Sequence, residues 1–413
     1  MDKSKIRKIT IHGMLFQLAF FFGICTYVVF MVTTLIDYGW SDGAATGAMT
    51  IMSVIIMLTQ PICGYISDNY LSEKKLSVVL LALAVVCFFL LPFSLESGSR
   101  PLVLVNMIGI TVTGTQVSGL LDAWIVGLKQ EYKSINYGLI RGTGSLAFAL
   151  SAQITGVVTV AFGHRTRLWL GGGCLILAVF AAMTFRAPRR TGQTDKGDIL
   201  TPQLSGREAL KLIFSSNQYC LLLGVSFFLL LSNVAMITLL QLLIRDFGGT
   251  TAQVGTASAL MAGSEVPMMF LMAYAMKKIG HQKLLLFSSV VYMLRMFAIA
   301  LIGTVDGLIY VQFLQGFTYA VLVPVSMSYL SQIVDERVRT TAVTTYVAIT
   351  SSLSGILGNL ITSALLSAGF SAQSLLIVFA FSTLIGFILT LYGAVRKIWK
   401  TDKADSKKPY ALE

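Results

Sequence analysis

Residues 187–214, APRRTGQTDKGDILTPQLSGREALKLIF, form the one long polar interval in the interior of this chain. The interval carries Arg189, Arg190, Lys196, Arg207 and Lys211, and on each side of it the sequence falls into six long apolar runs with short connections. Upstream the runs cover about 12–36, 43–67, 76–95, 102–127, 138–162 and 167–186; downstream they cover about 216–244, 252–276, 283–303, 307–331, 342–366 and 371–397. About 20 apolar residues in a helix suffice to cross a hydrocarbon core of about 30 Å. The runs are continuous rather than alternating, which excludes a β-barrel. The expected fold is therefore an all-α integral membrane protein of twelve transmembrane helices. Its parts are a six-helix bundle over 1–186, a central loop over 187–214, a second six-helix bundle over 215–397 and a tail over 398–413.

Composition agrees with this reading. Of 413 residues, 55% are hydrophobic and 12% charged, about half the charged share of a soluble protein. The net charge of +12 would suggest a nucleic-acid partner in a soluble chain, but the basic residues gather in short loops without interleaved aromatics, so no nucleic acid is expected. Of the 31 Lys and Arg, 25 fall in the loops and tails on the side of the termini, four in the opposite loops (Arg100, Arg165, Arg167, Arg245), and two inside spans. This asymmetry predicts cytoplasmic termini and a cytoplasmic 187–214 loop in a cell inner (plasma) membrane. Cys25, Cys63, Cys87, Cys174 and Cys220 show no CxxC spacing, so apolar packing is expected rather than a disulfide or metal site. The basic segment Met1–Thr10 runs into a full-length span without a small-residue cleavage site, as a retained first helix does. Walker A, HExxH and GxSxG sequences are missing, which argues against an ATP-driven pump or an enzyme and leaves no cofactor to expect. A monomer is expected.

The two charges inside spans on the basic side, Arg141 and Arg295, are matched by two acids, Asp122 and Glu265. An ionisable side chain at bilayer depth costs roughly 2.5 kcal/mol or more, so each needs a partner, a watery cavity or a task. They fall as one acid–base couple in each half. Glu265 and Arg295 lie about halfway along consecutive antiparallel spans, which predicts a direct or water-mediated pair. Two readings stand: a structural ion pair, or a pair that contacts substrate or carries a proton. Pro267, in mid-span, marks a bend that faces protein or water. A carboxylate that moves between a buried and an arginine-paired environment can take up and release a proton. Asp122 and Arg141 lie several residues inside the cytoplasmic ends of spans four and five; there Arg141 either joins the site or snorkels to the interface. Gly138, Gly142, Gly144 and Ser145 leave room around it for close helix approach or a cavity.

Among the uncharged polar residues of the spans, Gln17, Gln116, Gln153, Asn233, Gln241, Gln315, Thr318 and Asn359 fill out the candidates. Each serves as an interhelical hydrogen bond or as a ligand contact; Asn233 and Gln315 are carried as candidate substrate contacts. Tyr27, Phe148 and Tyr346 could stack on a ring. His12, His164 and His281 sit at span ends and are poor candidates for a midplane proton relay. The halves echo each other, Gly64-Tyr65-Ile66-Ser67-Asp68 through Lys74-Lys75 after span two matching Ala275-Met276-Lys277-Lys278-Ile279-Gly280 through Lys283 after span eight. Two such halves and a central cytoplasmic loop describe the major facilitator fold, whose site lies between the halves near the midplane.

Three stretches carry a closer resemblance. Gln60-Pro61-Ile62-Cys63-Gly64-Tyr65-Ile66-Ser67-Asp68 closely resembles the end of helix two and its loop in the lactose-permease-like branch of the major facilitator superfamily, which also holds nucleoside and phenylpropionate permeases. Asp122-Ala123-Trp124 with Tyr137-Gly138-Leu139-Ile140-Arg141-Gly142-Thr143-Gly144-Ser145 resembles that branch's helices four and five, and Trp169-Leu170-Gly171-Gly172-Gly173-Cys174 its helix six. The similarity runs in register through spans eight to ten. By this resemblance Asp122 and Arg141 take the places of the acid and arginine that hold a galactoside's hydroxyls. Phe148 takes that of a tryptophan on which the sugar stacks. Glu265 stands where the branch has a sugar-contacting asparagine, and Arg295 matches a helix-nine arginine linked to proton release. The helix-ten histidine and glutamate of the branch become Gln315 and Thr318, neither of which carries a proton at neutral pH. The proton step then falls to Glu265 or Asp122, with Glu265 first, or coupling is absent.

The expected function is secondary active transport of a small polar solute, a glycoside or related hydroxylated compound first, by proton symport and alternating access. The substrate contacts would be Asp122, Arg141, Phe148, Glu265, Arg295, Gln315, Asn233 and Tyr27; the proton-coupling residues would be Glu265, Asp122 and Arg295. An uncoupled facilitator, an exchanger, or an exporter of an organic anion, nucleoside or drug is the alternative, and a transporter-like sensor comes last.

Overall fold

A computed structural model of the chain describes residues 3–132, 134–135, 137–186, 206–335 and 338–399. Among these residues every regular element is a helix. The helices are α1 (Lys3–Val28), α2 (Met31–Asp37), α3 (Asp42–Asn69), α4 (Glu73–Glu96), α5 (Arg100–Ile110), α6 (Val117–Glu131), α7 (Tyr137–Thr184) and α8 (Gly206–Phe214). They continue with α9 (Asn217–Asp246), α10 (Thr251–Ile279), α11 (His281–Leu301), α12 (Val305–Val311), α13 (Gln315–Ile333), α14 (Arg339–Val347), α15 (Ser354–Ser367) and α16 (Ala372–Val395).

Eleven helical runs among the described residues are long and apolar enough to cross a membrane. One of them, Gly138–Thr184, has 47 residues, twice the length of a span. It turns at Gly163, whose φ of 81° and ψ of 172° lie where only glycine goes without strain. Two crossings there bring the total to twelve, at the twelve places marked by the apolar runs. The fourth span is α5 and α6 joined through a π-helical turn at Thr111–Thr115, and the eleventh is α14 and α15 joined through another at Ala348–Leu353. Such inserted turns re-aim the side chains that follow, and an apolar run gives no sign of them. The polar interval is also not all loop. Its end forms α8, which buries Ala209 and Ile213 against the neighbouring core and turns Leu210, Leu212 and Phe214 outward. Residues 187–205 and 400–413, with most of the interval and the tail, lie outside the described residues.

Local chemistry sets the helix starts. The side chains of Ser41, Ser72, Ser216, Thr250, Thr304 and Ser371 each accept a hydrogen bond from a backbone N–H of the first turn, so the orphan donors of six helices are satisfied at the ends. Pro61, Pro92, Pro267 and Pro324 sit inside helices, as membrane spans tolerate when neighbours re-satisfy the backbone. The outer surface is apolar at mid-span: Leu83, Leu90, Leu177, Phe180, Phe381 and Ile388 are all half exposed or more. In water such a surface would aggregate; against lipid it costs nothing.

Within the first six spans α1 and α4 pack along α7; within the last six, α16 packs on α9 and α11, and α13 on α10 and α11. The two sets meet through α7 against α10 and α3 against α15. At one end these meetings are tight. Arg245 forks onto both oxygens of Asp42, each bond 2.7 Å, and also onto Asp246. Thr33 N donates to Gln241 Oε1 at 3.2 Å, Ser363 Oγ to the Gly43 carbonyl at 2.7 Å, and Asn359 Nδ2 to Ser53 Oγ at 3.2 Å. Apart from the Arg245–Asp246 bond within α9, every one of these joins a span of the first six to a span of the last six. The bidentate Arg245–Asp42 pair is one-third exposed, so it is worth about 1 kcal/mol, which corresponds to about fivefold in the population of this closed end. Arg245→Gln is expected to raise the maleimide labelling rate of a Thr33→Cys reporter, in a background freed of native cysteines, by about that factor. An unchanged labelling rate would mean the pair does not hold this end shut.

Candidate functional site

A cavity of about 690 Å³ lies between the two sets of spans, in the part of the bundle nearer the described chain ends. It is built by helical spacing, since residues three or four apart share a face. From α7 come Gly138, Arg141, Gly142, Ser145 and Phe148; from α9, Leu230, Asn233, Val234 and Ile237; from α10, Met261, Glu265, Met269 and Phe270. The α13 stripe is Gln315, Tyr319, Val323 and Met327, and the eleventh span adds Tyr346 with Thr350 and Ser351 of its π-helical turn. The walls are thus mainly apolar, aromatic rings and thioethers among them, with a charged group from each half.

On the α7 side, Arg141 Nε stands 3.5 Å from Asp122 Oδ1, both about one-third exposed. Its guanidinium carbon lies 4.9 Å over the ring of Phe21. Asp122 backs the arginine from α6 without reaching the cavity wall. A planar fork held edge-on by a carboxylate and face-on by a ring presents its remaining N–H groups in a fixed direction.

On the other side the expected direct or water-mediated pair of Glu265 and Arg295 is replaced by a bridge through a third residue. Gln315 Nε2 donates to Glu265 Oε1 at 3.0 Å, while Gln315 Oε1 accepts from Arg295 Nη1. Arg295 is 1% exposed; it also donates to Gln312 Oε1 at 2.6 Å and to Thr318 Oγ1 at 3.4 Å. Gln312 is held in turn by donating to the Leu308 carbonyl at 2.9 Å. The reason is packing: α10 and α11 barely touch each other and both pack on α13, so a side chain of α13 comes between theirs. Glu265 faces the cavity and Arg295 does not.

Of the other candidates, Phe148 and Asn233 are on the wall. Tyr27 is not: it is buried in the first-half core with its ring 6.0 Å from that of Phe88, edge to face. Gln116, Gln241 and Asn359 serve between helices, on Thr59, Thr33, and Thr238 with Ser53. His164, at the Gly163 turn, bonds Asp37 at 2.8 Å at the closed end, away from the cavity. Tyr319, Thr350 and Ser351 went unnoticed in the sequence. The repeat Gln315, Tyr319, Val323, Met327 at every fourth position carries the signal for the first; the π-helical turn that turns Thr350 and Ser351 inward carries none.

Twelve helical crossings in two sets, with a cavity between the sets and charges facing it from each, define a membrane transporter of the major facilitator fold. The chain belongs to the MFS_1 like family, whose model matches residues 10–381. Maltose permease of Geobacillus stearothermophilus is 26% identical over 357 residues, 86% of this chain and 87% of that one. Lactose permease of Klebsiella oxytoca is 28% identical over 133 residues, about a third of each chain. The crystal structure of nucleoside transporter NupG matches with a TM-score of 0.75 at 15% identity, over 95% of this chain and 99% of that one. These relatives are permeases and transporters, and this chain is a multi-pass membrane transporter, not an enzyme.

Proposed function

We propose that the chain is a proton symporter of a small hydroxylated solute, of the glycoside class, that works by alternating access. The observation that carries this reading is the cavity between the halves, with the Arg141 fork and the Phe148 ring on one wall and the Glu265 carboxylate and Gln315 amide on the other. A fork and a carboxylate suit paired hydroxyls, and a ring suits the apolar face of a sugar. The relative named maltose permease supports the same class. Glu265 is the proton carrier in this reading, because it is the acid on the cavity wall, and Asp122 serves to orient Arg141. With one end shut by the Asp42–Arg245 contacts, the cavity is accessible from the side of the chain ends. The loop charges make that side the cytoplasm of an inner membrane, so the state is inward-facing. The protein acts as a monomer, the site being complete within one chain.

The test is uptake by the purified protein in liposomes, using a panel of maltose, lactose, simple glucosides, uridine and an aromatic carboxylate, with and without an inward proton gradient. A gradient of one pH unit, about 1.4 kcal/mol per proton, is expected to drive about tenfold accumulation of a glycoside at one proton per solute. Uptake of the carried solute that ignores the gradient sinks the symport reading and leaves a facilitator. Uptake confined to uridine or the carboxylate sinks the glycoside reading.

A further inference from the structure

Arg295 poses an electrostatic problem that the cavity alone does not solve. It is fully buried, and its hydrogen-bond acceptors are three neutral side chains, Gln312, Gln315 and Thr318. A buried cation needs a counter-charge, and Glu265 stands one amide away, beyond Gln315. The amide is held at both ends in opposite senses. A guanidinium only donates, so it requires the Gln315 oxygen; the Glu265 oxygen accepts, so it requires the Gln315 nitrogen. Turning the amide over would set donor against donor and acceptor against acceptor at once. A proton on Glu265 changes one end of this arrangement, because a carboxylic acid can donate as well as accept.

A second observation says where the effect goes. Gln312–Leu314 is a short 3-10 turn that interrupts the tenth span between α12 and α13. Gln312 is its first residue and Gln315 opens α13 directly after it, and Arg295 binds both, so the guanidinium staples the start of the break to the helix that follows. A mid-helix stretch of 3-10 often marks a functional hinge. Directly after the break, Gly316 N donates to Ser264 Oγ at 3.1 Å, next to Glu265 on α10.

We propose that Gln315 is a positioning residue: a non-titrating amide that links the charge on Glu265 to the Arg295 staple across the break in the tenth span. The cavity carboxylate is thereby tied to a helix joint that the solute never touches. The proposal rests on reading the cavity as the transport site, but its test does not use transport. Other ionisable or charged groups face Glu265 from each packed element and stay constant in the test: Arg141 from α7, Tyr292 and Arg295 from α11, Tyr319 from α13, and Tyr346 from α14 across the cavity.

Thermal unfolding of the full chain in detergent, followed between about pH 5 and pH 9, reads the linkage between Glu265 and the fold. Subtracting the profile of Glu265→Gln isolates the component that Glu265 carries. In Gln315→Met, which keeps the volume and removes both polar ends, the midpoint of that component is expected to shift by about one pH unit or more, as for loss of a hydrogen bond to a charged group. Gln312→Met removes an Arg295 acceptor that does not touch Glu265; it is expected to lower stability at every pH and leave the midpoint in place. Gln315→Asn, too short to reach both partners, provides a milder variant if Gln315→Met does not fold. An unmoved midpoint in the Gln315 variants, an equal shift in Gln312→Met, or a profile that Glu265→Gln leaves unchanged would each overturn the proposal. Liposome uptake that ignores a proton gradient bears on the symport reading and leaves this one standing.

Discussion

Glu265→Gln is expected to abolish proton-driven accumulation while exchange of the same solute across the liposome membrane continues at a comparable rate. Glutamine keeps the length of the side chain, and its carbonyl oxygen can still accept from Gln315, which donates to Glu265 at 3.0 Å. What it cannot do is bind and release a proton. Counterflow exchange needs the cavity to alternate with solute bound and needs no net proton movement, so it separates binding and motion from coupling. With one pH unit across the membrane the accumulation ratio should fall by about tenfold, to the equilibrium value. Asp122→Asn is the companion measurement. Asp122 orients Arg141 from 3.5 Å and stands off the wall, so its loss should weaken solute binding and leave accumulation in place. If the outcomes are reversed, Asp122 carries the proton. If accumulation survives in both, neither acid is obligatory.

Much of the fold could be read from hydropathy because a membrane leaves few choices. Every backbone polar group must be paired within its own span, so twelve apolar runs mean twelve helical crossings. The failures are local and have local causes. Spans five and six, which the polar stretch Gly163-His164-Arg165-Thr166-Arg167 separates in the sequence, share one helical run because Gly163 makes the reversal in a single residue. The π-helical turns at Thr111–Thr115 and Ala348–Leu353 shift register by one residue inside a span, and the hydropathy of a span carries no register.

The site was legible in part, and for a definite reason. A charge in a span announces itself, so Arg141, Glu265, Asp122 and Arg295 could be singled out from sequence. Their partners could not, because pairing depends on which helices pack. Sequence order makes α10 and α11 neighbours, but the bundle seats α13 between their facing residues, and Gln315 takes the place that a direct pair would have had. Tyr27 shows the converse. An aromatic ring in a span is ordinary core material, and only the structure shows its packing on Phe88.

Gly255→Leu is expected to stop transport by preventing the closed end from closing. At this position α7 and α10 meet backbone to backbone. A Cβ on Gly255 would sit far inside contact distance of the Ala152 carbonyl oxygen and 3.2 Å from the Gly156 Cα, and a Cβ on Gly156 would sit 3.0 Å from the Thr251 carbonyl oxygen. These neighbours are main-chain atoms of helices, which cannot turn aside as a side chain can. Small residues are what allow membrane helices to approach this closely. Overpacking a fitted interface costs about 1–3 kcal/mol or more, which is about five- to over a hundredfold in a two-state population. The strain exists only when this end is shut, so it selects the opposite state rather than unfolding the protein. Solute transport should therefore fall at least about tenfold, and labelling of the Thr33→Cys reporter from the closed side should rise by a similar factor. Gly255→Ala, with one added methyl group, should show the same two changes to a smaller degree. Thr33→Cys labelling as slow as in the parent, with transport lost, would instead mean that the substitution damages the bundle. The tight α7–α10 crossing would then be a point of stability and not of gating.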